Sequence, residues 1–262
     1  MISLSIDGKR VRIEEGATIL QAAEQLGIEI PTLCHHPALE PYAACRICMV
    51  EVVRDGQSEL VTACNTAVQN GMTVRTRSKR VSAARKMNIE LLMARAPKMQ
   101  VIKALSAKYH IKRSRFPVEN PDEDCILCGL CVRVCESVVG VSAIGFANRG
   151  TDRVWSKPFD RASDVCIACG VCTYLCPTGA VQMEAETAER FREGPGEHRE
   201  CRYSLMGILP YALCANSFRC AQCEVDQRFR DSMDIHPIFV ARNCHLAAVS
   251  TYHEFLKRVR KE

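Results

Sequence analysis

Much that would mark an enzyme or a membrane protein is missing from this 262-residue sequence. Its best apolar run, Leu205 to Cys214, falls well short of the roughly 18 residues that a membrane-spanning helix needs. The N-terminus, MISLSIDGKRVRIEEG, is charged and strand-like and has no apolar secretion core. The expected compartment is therefore the cytoplasm, with no membrane span. Aromatic residues make up only 6%, and no stacking-aromatic motif for nucleic acid is present. No G-x-G-x-x-G follows a strand-like run; Gly194 and Gly196 lie in a polar stretch without the third glycine. That pattern excludes a Rossmann dinucleotide site. A P-loop and a Ser/His/Asp signature are missing too, so the sequence offers no catalytic residues.

What the sequence has in excess is cysteine, with 17 residues. Without secretion, such a count points to reduced thiols used for metal rather than to disulfides. Two stretches, CILCGLCVRVCE at 125–136 and CIACGVCTYLCP at 166–177, share the spacing C-x2-C-x2-C-x3-C. Three thiolates from one tight turn, with a fourth that reaches elsewhere, suit a [4Fe-4S] cube. Zinc sites pair two C-x2-C units across a longer loop, and these combs do not fit that pattern. In bacterial two-cluster ferredoxins the fourth Cys ligates the other cluster. By that resemblance one set is Cys125, Cys128, Cys131 and Cys176, and the other is Cys166, Cys169, Cys172 and Cys135. Gly129 and Gly170 sit inside the combs, where thiolate loops need small residues.

The formal charge of +5 counts cysteine as neutral. Three iron–sulfur centres, each roughly −2 with its four thiolates, would bring the chain to about −1. The basic residues read as counter-charge for clusters, not as a nucleic-acid surface.

Upstream, residues 2–6 and 9–13 alternate around Asp7-Gly8, which predicts a hairpin. Ala17 to Leu26 reads as a short amphipathic helix with Ile19, Leu20, Ala23 and Leu26 on one face, stopped by Gly27. Strands are expected at about 47–53, 59–62 and 72–76. Between and around them lie Cys34, Cys45, Cys48 and Cys64, spaced C-x10-C-x2-C-x15-C. A hairpin, a helix, a cysteine loop and returning strands form the β-grasp plan of a [2Fe-2S] ferredoxin, though the plant-type first gap is shorter.

PTLCHHPALEPYAACRICMVEV resembles the N-terminal ferredoxin domain of the large iron–sulfur subunit of respiratory complex I. The same domain opens the diaphorase iron–sulfur subunits of NAD-linked hydrogenases and formate dehydrogenases. The family's Cys and His-Pro step maps to Cys34, His36 and Pro37, its C-R-x-C to Cys45, Arg46, Ile47 and Cys48, and its distal ligand to Cys64. Residues 78–96 predict a helix, with Val81, Met87, Leu91, Leu92 and Arg95 in mixed periodicity. In the family it leads to a further cluster motif, H-P-x-x-C-x2-C-x5-C. Here Ala96, Gln100, Lys103 and Tyr109 occupy the four ligand slots, so that cluster is expected to be absent. His110 stands alone and reads as an ordinary histidine. The insert between the combs, VGVSAIGFANRG then DRVWSKPF, predicts a hairpin that covers one cluster. The resemblance spans about residues 1–185.

From 186 the composition turns polar, and AETAERFREGPGEHRE reads as a linker, helical at first. Beyond it, Cys201, Cys214, Cys220 and Cys223 are spaced C-x12-C-x5-C-x2-C. That spacing matches neither a zinc ribbon nor a ferredoxin comb. An extra [4Fe-4S] cluster, Zn, and redox-active or structural thiols all remain open. Cys244 follows HPIFVAR, read as a strand, and is expected to be a plain thiol. Leu246 to Arg260 predicts a final helix.

The sequence thus predicts an α+β chain of four parts. These are a β-grasp [2Fe-2S] ferredoxin domain at 1–78, a helical spacer at 79–116, a two-[4Fe-4S] ferredoxin-like domain at 117–185 and a cysteine-rich C-terminal module at 186–262. The resemblance implies an electron-transfer subunit of a multisubunit oxidoreductase. Its expected partners are a flavin-containing NAD(P)H-reactive subunit, a hydrogenase, formate dehydrogenase or similar catalytic subunit, and ferredoxin. Two alternatives come from the tail: a stand-alone reductase using its cysteines, or a zinc-held interaction module.

Overall fold

Alternation of apolar and polar residues builds the first sheet. In Ile2–Ile6 (β1) Leu4 and Ile6 point inward while the serines between them face out. Lys9–Ile13 (β2) pairs with it antiparallel, Ile6 opposite Lys9, around a tight turn at Asp7 and Gly8. Met49–Arg54 (β3), Gln57–Thr62 (β4) and Thr73–Arg75 (β5) complete a five-stranded sheet in the order β2-β1-β5-β3-β4. β5 runs parallel to β1 and antiparallel to β3. A parallel neighbour requires a crossover, and the helix and the cysteine loop lie within it. The computed structural model describes residues 1–54, 56–157, 163–182, 189 and 200–242. It divides into two units, Met1–His35 with Pro41–Cys128 and His36–Glu40 with Gly129–Glu262.

In the first unit, Ile19–Gln25 (α1) covers the sheet. Thr18 and Gln21 form a reciprocal capping box at its start. Ile19, Leu20, Ala22 and Ala23 are buried against Leu4, Ile6, Val50 and Val74. The Leu20 amide donates to the Ala63 carbonyl at 2.9 Å, next to Cys64, so the helix also locates a candidate ligand. Leu20→Ala is expected to destabilise this unit by about 2–5 kcal/mol through the cavity it leaves. Faster hydrogen exchange across β1 and β5 amides is the check.

Lys79–Arg95 (α2) begins on Ser78, whose hydroxyl accepts from the Val81 amide. Its buried face is Val81, Arg85, Ile89 and Glu90, while Met87 and Leu91 are exposed. The mixed periodicity of the sequence thus resolves into a face with a buried arginine in a central place. Gln100–Lys108 (α3) follows, burying Val101, Ile102 and Leu105. It carries Gln100 and Lys103, and Tyr109 follows as its C-cap; the Tyr109 hydroxyl accepts a hydrogen bond from Arg85 at 3.1 Å. Ala96 is buried. His110 is exposed, with φ 55°.

In the second unit, Leu130–Val134 (α4) runs into a π-helical turn, Cys135–Val139. Gly145–Ala147 (β6) and Val154–Ser156 (β7) form the hairpin expected in the insert. Val171–Leu175 (α5) follows the second comb. The tail has helical turns at Arg202–Leu205 and Cys220–Gln222, then helices Glu224–Ser232 and Pro237–Ala241. The last overturns the strand read in HPIFVAR. His236 caps it, accepting from the Ile238 amide at 3.3 Å, and Pro237 fills its first turn. Most of the linker, Cys244 and the helix expected at 246–260 lie outside the described residues.

Candidate metal centres

The loop from residue 33 to 48 carries three of the first four cysteines, and the turn after β4 carries Cys64. All four are buried. The Cys45 amide donates to the Cys34 sulfur at 3.4 Å. The Cys45 thiol also donates to Cys34, and with burial this pushes Cys45 well above the ordinary thiol range. The Cys64 thiol donates to Cys48, which holds Cys48 down and pushes Cys64 up. The sulfurs therefore stand as two neighbouring pairs, Cys34 with Cys45 and Cys48 with Cys64. That arrangement fits a two-iron centre taking two thiolates at each iron. Two non-glycine residues in the loop, Ala43 and Arg46, have φ of 58° and 57°. Such backbone costs energy and persists only where its surroundings impose it.

Helix α2 imposes part of it. Arg85 donates to the Met49 carbonyl at 2.7 and 3.0 Å, and Asn88 donates to the Arg46 carbonyl at 2.9 Å. These two positioning residues carry no signal in the sequence beyond a polar place on a helix.

The combs share a backbone pattern. Leu127 and Gly129 have φ of 50° and 72°, and Ala168 and Gly170 at the matching places have 52° and 76°. Each glycine caps the following helix in the left-handed region, which a side chain would strain. The Leu127 amide donates to the Cys125 sulfur at 3.4 Å. Cys125 and Cys128 belong to the first unit, and Cys131 and Cys176 to the second, where they share an apolar cluster.

One cavity in the second unit, of about 350 Å³ counting the space that opens to solvent, is lined by Cys135, Cys166, Cys169 and Cys172. A cysteine of the first comb thus meets three of the second. Val141, Ala143 and Ile144 supply its apolar wall, and Trp155 packs on the same cluster. The Ala143 amide donates to the Cys135 sulfur at 3.2 Å. Burial pushes Cys169 and Cys172 up to about 12. Thiols in such a place lose their protons to a metal, not to water. On the far side His236 Nε2 donates to the Cys169 carbonyl at 2.9 Å, while Nδ1 accepts from Ile238. The two roles fix a neutral imidazole, and burial holds its pKa near 4.

Comparison with known proteins matches the same stretches of the chain. Residues 1–79 match the family described as a 2Fe-2S iron-sulfur cluster binding domain, and residues 124–180 match a 4Fe-4S dicluster domain. The chain carries two iron–sulfur ferredoxin domains. Around them the likeness extends further. One of the NADH-quinone oxidoreductase subunits of Rhizobium meliloti is 33% identical over 69% of this chain and 24% of its own length. The HndD subunit of the NADP-reducing hydrogenase of Solidesulfovibrio fructosivorans is 35% identical over 69% of this chain and 36% of its own. The chain thus spans about a quarter to a third of these curated relatives. A chain of a crystallised NAD+-reducing [NiFe]-hydrogenase aligns with a TM-score of 0.53 and 26% identity, covering 60% of this chain and 74% of that one. The ferredoxin domain holds the first cysteine set, and the dicluster domain holds both combs.

Cys201, Cys214, Cys220 and Cys223 line a second cavity of about 290 Å³ on the same measure, with Arg202, Tyr203 and Asp226 in its wall. Around these cavities the thiols border a volume: among the described residues no group of three or more His, Cys, Asp or Glu side chains is set to hold a metal ion. His36, mapped from the family motif, is fully buried, accepts from the Ala38 amide at 3.2 Å and stacks on Phe239 in the second unit with centroids 4.9 Å apart. Among the described residues no helix is long and apolar enough to cross a membrane.

Proposed function

We propose that this chain is the electron-relay subunit of a cytoplasmic multisubunit oxidoreductase. It would connect a flavin-bearing, NAD(P)H-reactive subunit with a catalytic or ferredoxin-reactive subunit of the hydrogenase or formate dehydrogenase type. The observation that supports this best is the cavity shared by Cys135 and the second comb, since a ligand exchanged between combs is the arrangement of a two-cluster electron carrier. Cys34, Cys45, Cys48 and Cys64 would hold a [2Fe-2S] centre. Cys166, Cys169, Cys172 and Cys135, and Cys125, Cys128, Cys131 and Cys176, would hold one [4Fe-4S] centre each. When bound, such clusters take up and release single electrons. The chain's own part is to bury the sulfurs, aim amide N–H groups at them and exclude water, which sets their potential.

Anaerobically prepared chain, mixed with NAD(P)H, is expected to stay oxidised by EPR until the flavin-bearing subunit is added. Direct reduction of the isolated chain by NAD(P)H, or fewer than about ten irons per chain, would overturn the reading.

A further inference from the structure

We propose that Cys201, Cys214, Cys220 and Cys223 hold a third [4Fe-4S] cluster. Nothing in the two ferredoxin domains requires it, and it goes beyond the relay reading.

The fold gathers these four residues from three separate places. The Cys201 amide donates to the Ala212 carbonyl at 2.8 Å, and Glu200 bridges to Leu213, which brings the start of the tail beside Cys214. The turn at Cys220–Gln222 and the helix that begins after Cys223 bring up the other two. All four then border one cavity, close in size to the one bordered by Cys135 and the second comb. A tetrahedral zinc would draw the four sulfurs to within about 4 Å of each other. Iron and zinc counts separate that arrangement from a cluster.

A second observation is independent of the cavity. The Phe218 amide donates to the Cys214 sulfur at 3.3 Å. To aim it there, Ser217 and Phe218 take φ of 44° and 54°. A bulky aromatic residue in the left-handed region is an outlier. The same device, a non-glycine left-handed residue whose amide meets a ligand sulfur, occurs at Leu127 and Cys125. Strained backbone that delivers an N–H to sulfur thus recurs at the comb and in the tail.

The cavity wall offers no competing ligand. The Asp226 carboxylate accepts from Arg202, from the Tyr203 hydroxyl at 2.8 Å and from Arg230 at 2.6 Å. With that oxygen pair engaged, four thiolates are left for the irons.

The test uses the full chain, reconstituted anaerobically with iron and sulfide. About fourteen irons per chain are expected, against about ten for the ferredoxin domains alone. The double variant Cys214→Ala/Cys220→Ala is expected to lose about four irons and four sulfides while keeping the [2Fe-2S] and comb EPR signals. Loss of one zinc instead, loss of two irons, or no loss overturns the proposal. Should the variant not fold, native mass spectrometry of the wild-type chain decides. Three cubane mass increments beside one [2Fe-2S] support the site, and two overturn it. Failure of the relay reading looks different, as it would remove the [2Fe-2S] or comb EPR signals from the wild type, which the tail variant is expected to keep.

Discussion

Cys135→Ala is expected to remove the same [4Fe-4S] EPR signal as Cys169→Ala, although the two residues belong to different combs. Each variant should lose about four irons from the full chain. Cys176→Ala should remove the other cubane signal, together with Cys128→Ala. The reason is the cavity in which Cys135 joins Cys166, Cys169 and Cys172. If Cys135→Ala matched Cys128→Ala instead, each comb would serve its own cluster and the exchange would be refuted. Alanine is the right substitution, because serine leaves an oxygen that can serve as a ligand.

Asp226→Asn should open the tail. Asp226 has a side chain only 1% exposed, and Arg202 beside it is 7% exposed. Removing one charge from a buried pair strands the other, at about 3–5 kcal/mol. Tyr203→Phe removes only one neutral donor to the same carboxylate and should cost about 1 kcal/mol. Amide exchange in Arg202–Leu205 and Glu224–Ser232 is the measurement, and equal protection in Asp226→Asn and wild type would refute the role. Acid should imitate the mutation. Burial alone would raise the Asp226 pKa, but Arg202, Tyr203 and Arg230 outweigh it and hold the group below its usual value. Its stabilisation is therefore fully present above the unfolded aspartate pKa near 3.8 and is lost as the pH falls through the folded one.

The parts of the fold legible in the sequence are those fixed by neighbours in the chain. Strands β1 and β2 follow from alternation around Asp7-Gly8, and the comb spacing follows from cluster chemistry. The insert hairpin with Trp155 is local in the same way. HPIFVAR misled because a short apolar, β-branched run suits a strand or a helix equally; His236 and Pro237 decide for the helix. The buried face of α2 was not legible in its mixed periodicity because Arg85, an unusual core residue, is held inside by the Met49 carbonyl and Tyr109. The tail cysteines line one cavity whose wall also holds Asp226 and Arg202, a pair that meets across 24 residues. No periodicity encodes such a meeting. The left-handed Ser217 and Phe218 were hidden for another reason, since neither residue type advertises that conformation.

The π-helical turn after Cys135 also constrains how this segment can change in length. The Gly140 amide donates to the Cys135 carbonyl at 3.0 Å, across one residue more than an α turn holds, and the Val141 amide donates to it at 3.1 Å, across two more. Deleting one residue between them would close an ordinary α turn. The chain beyond would then rotate by about 100°, and the Ala143 amide would leave the Cys135 sulfur. Substitutions at exposed Glu136 or Ser137 should pass freely, whereas a one-codon deletion there should not. The segment tolerates changes of spelling but not of length.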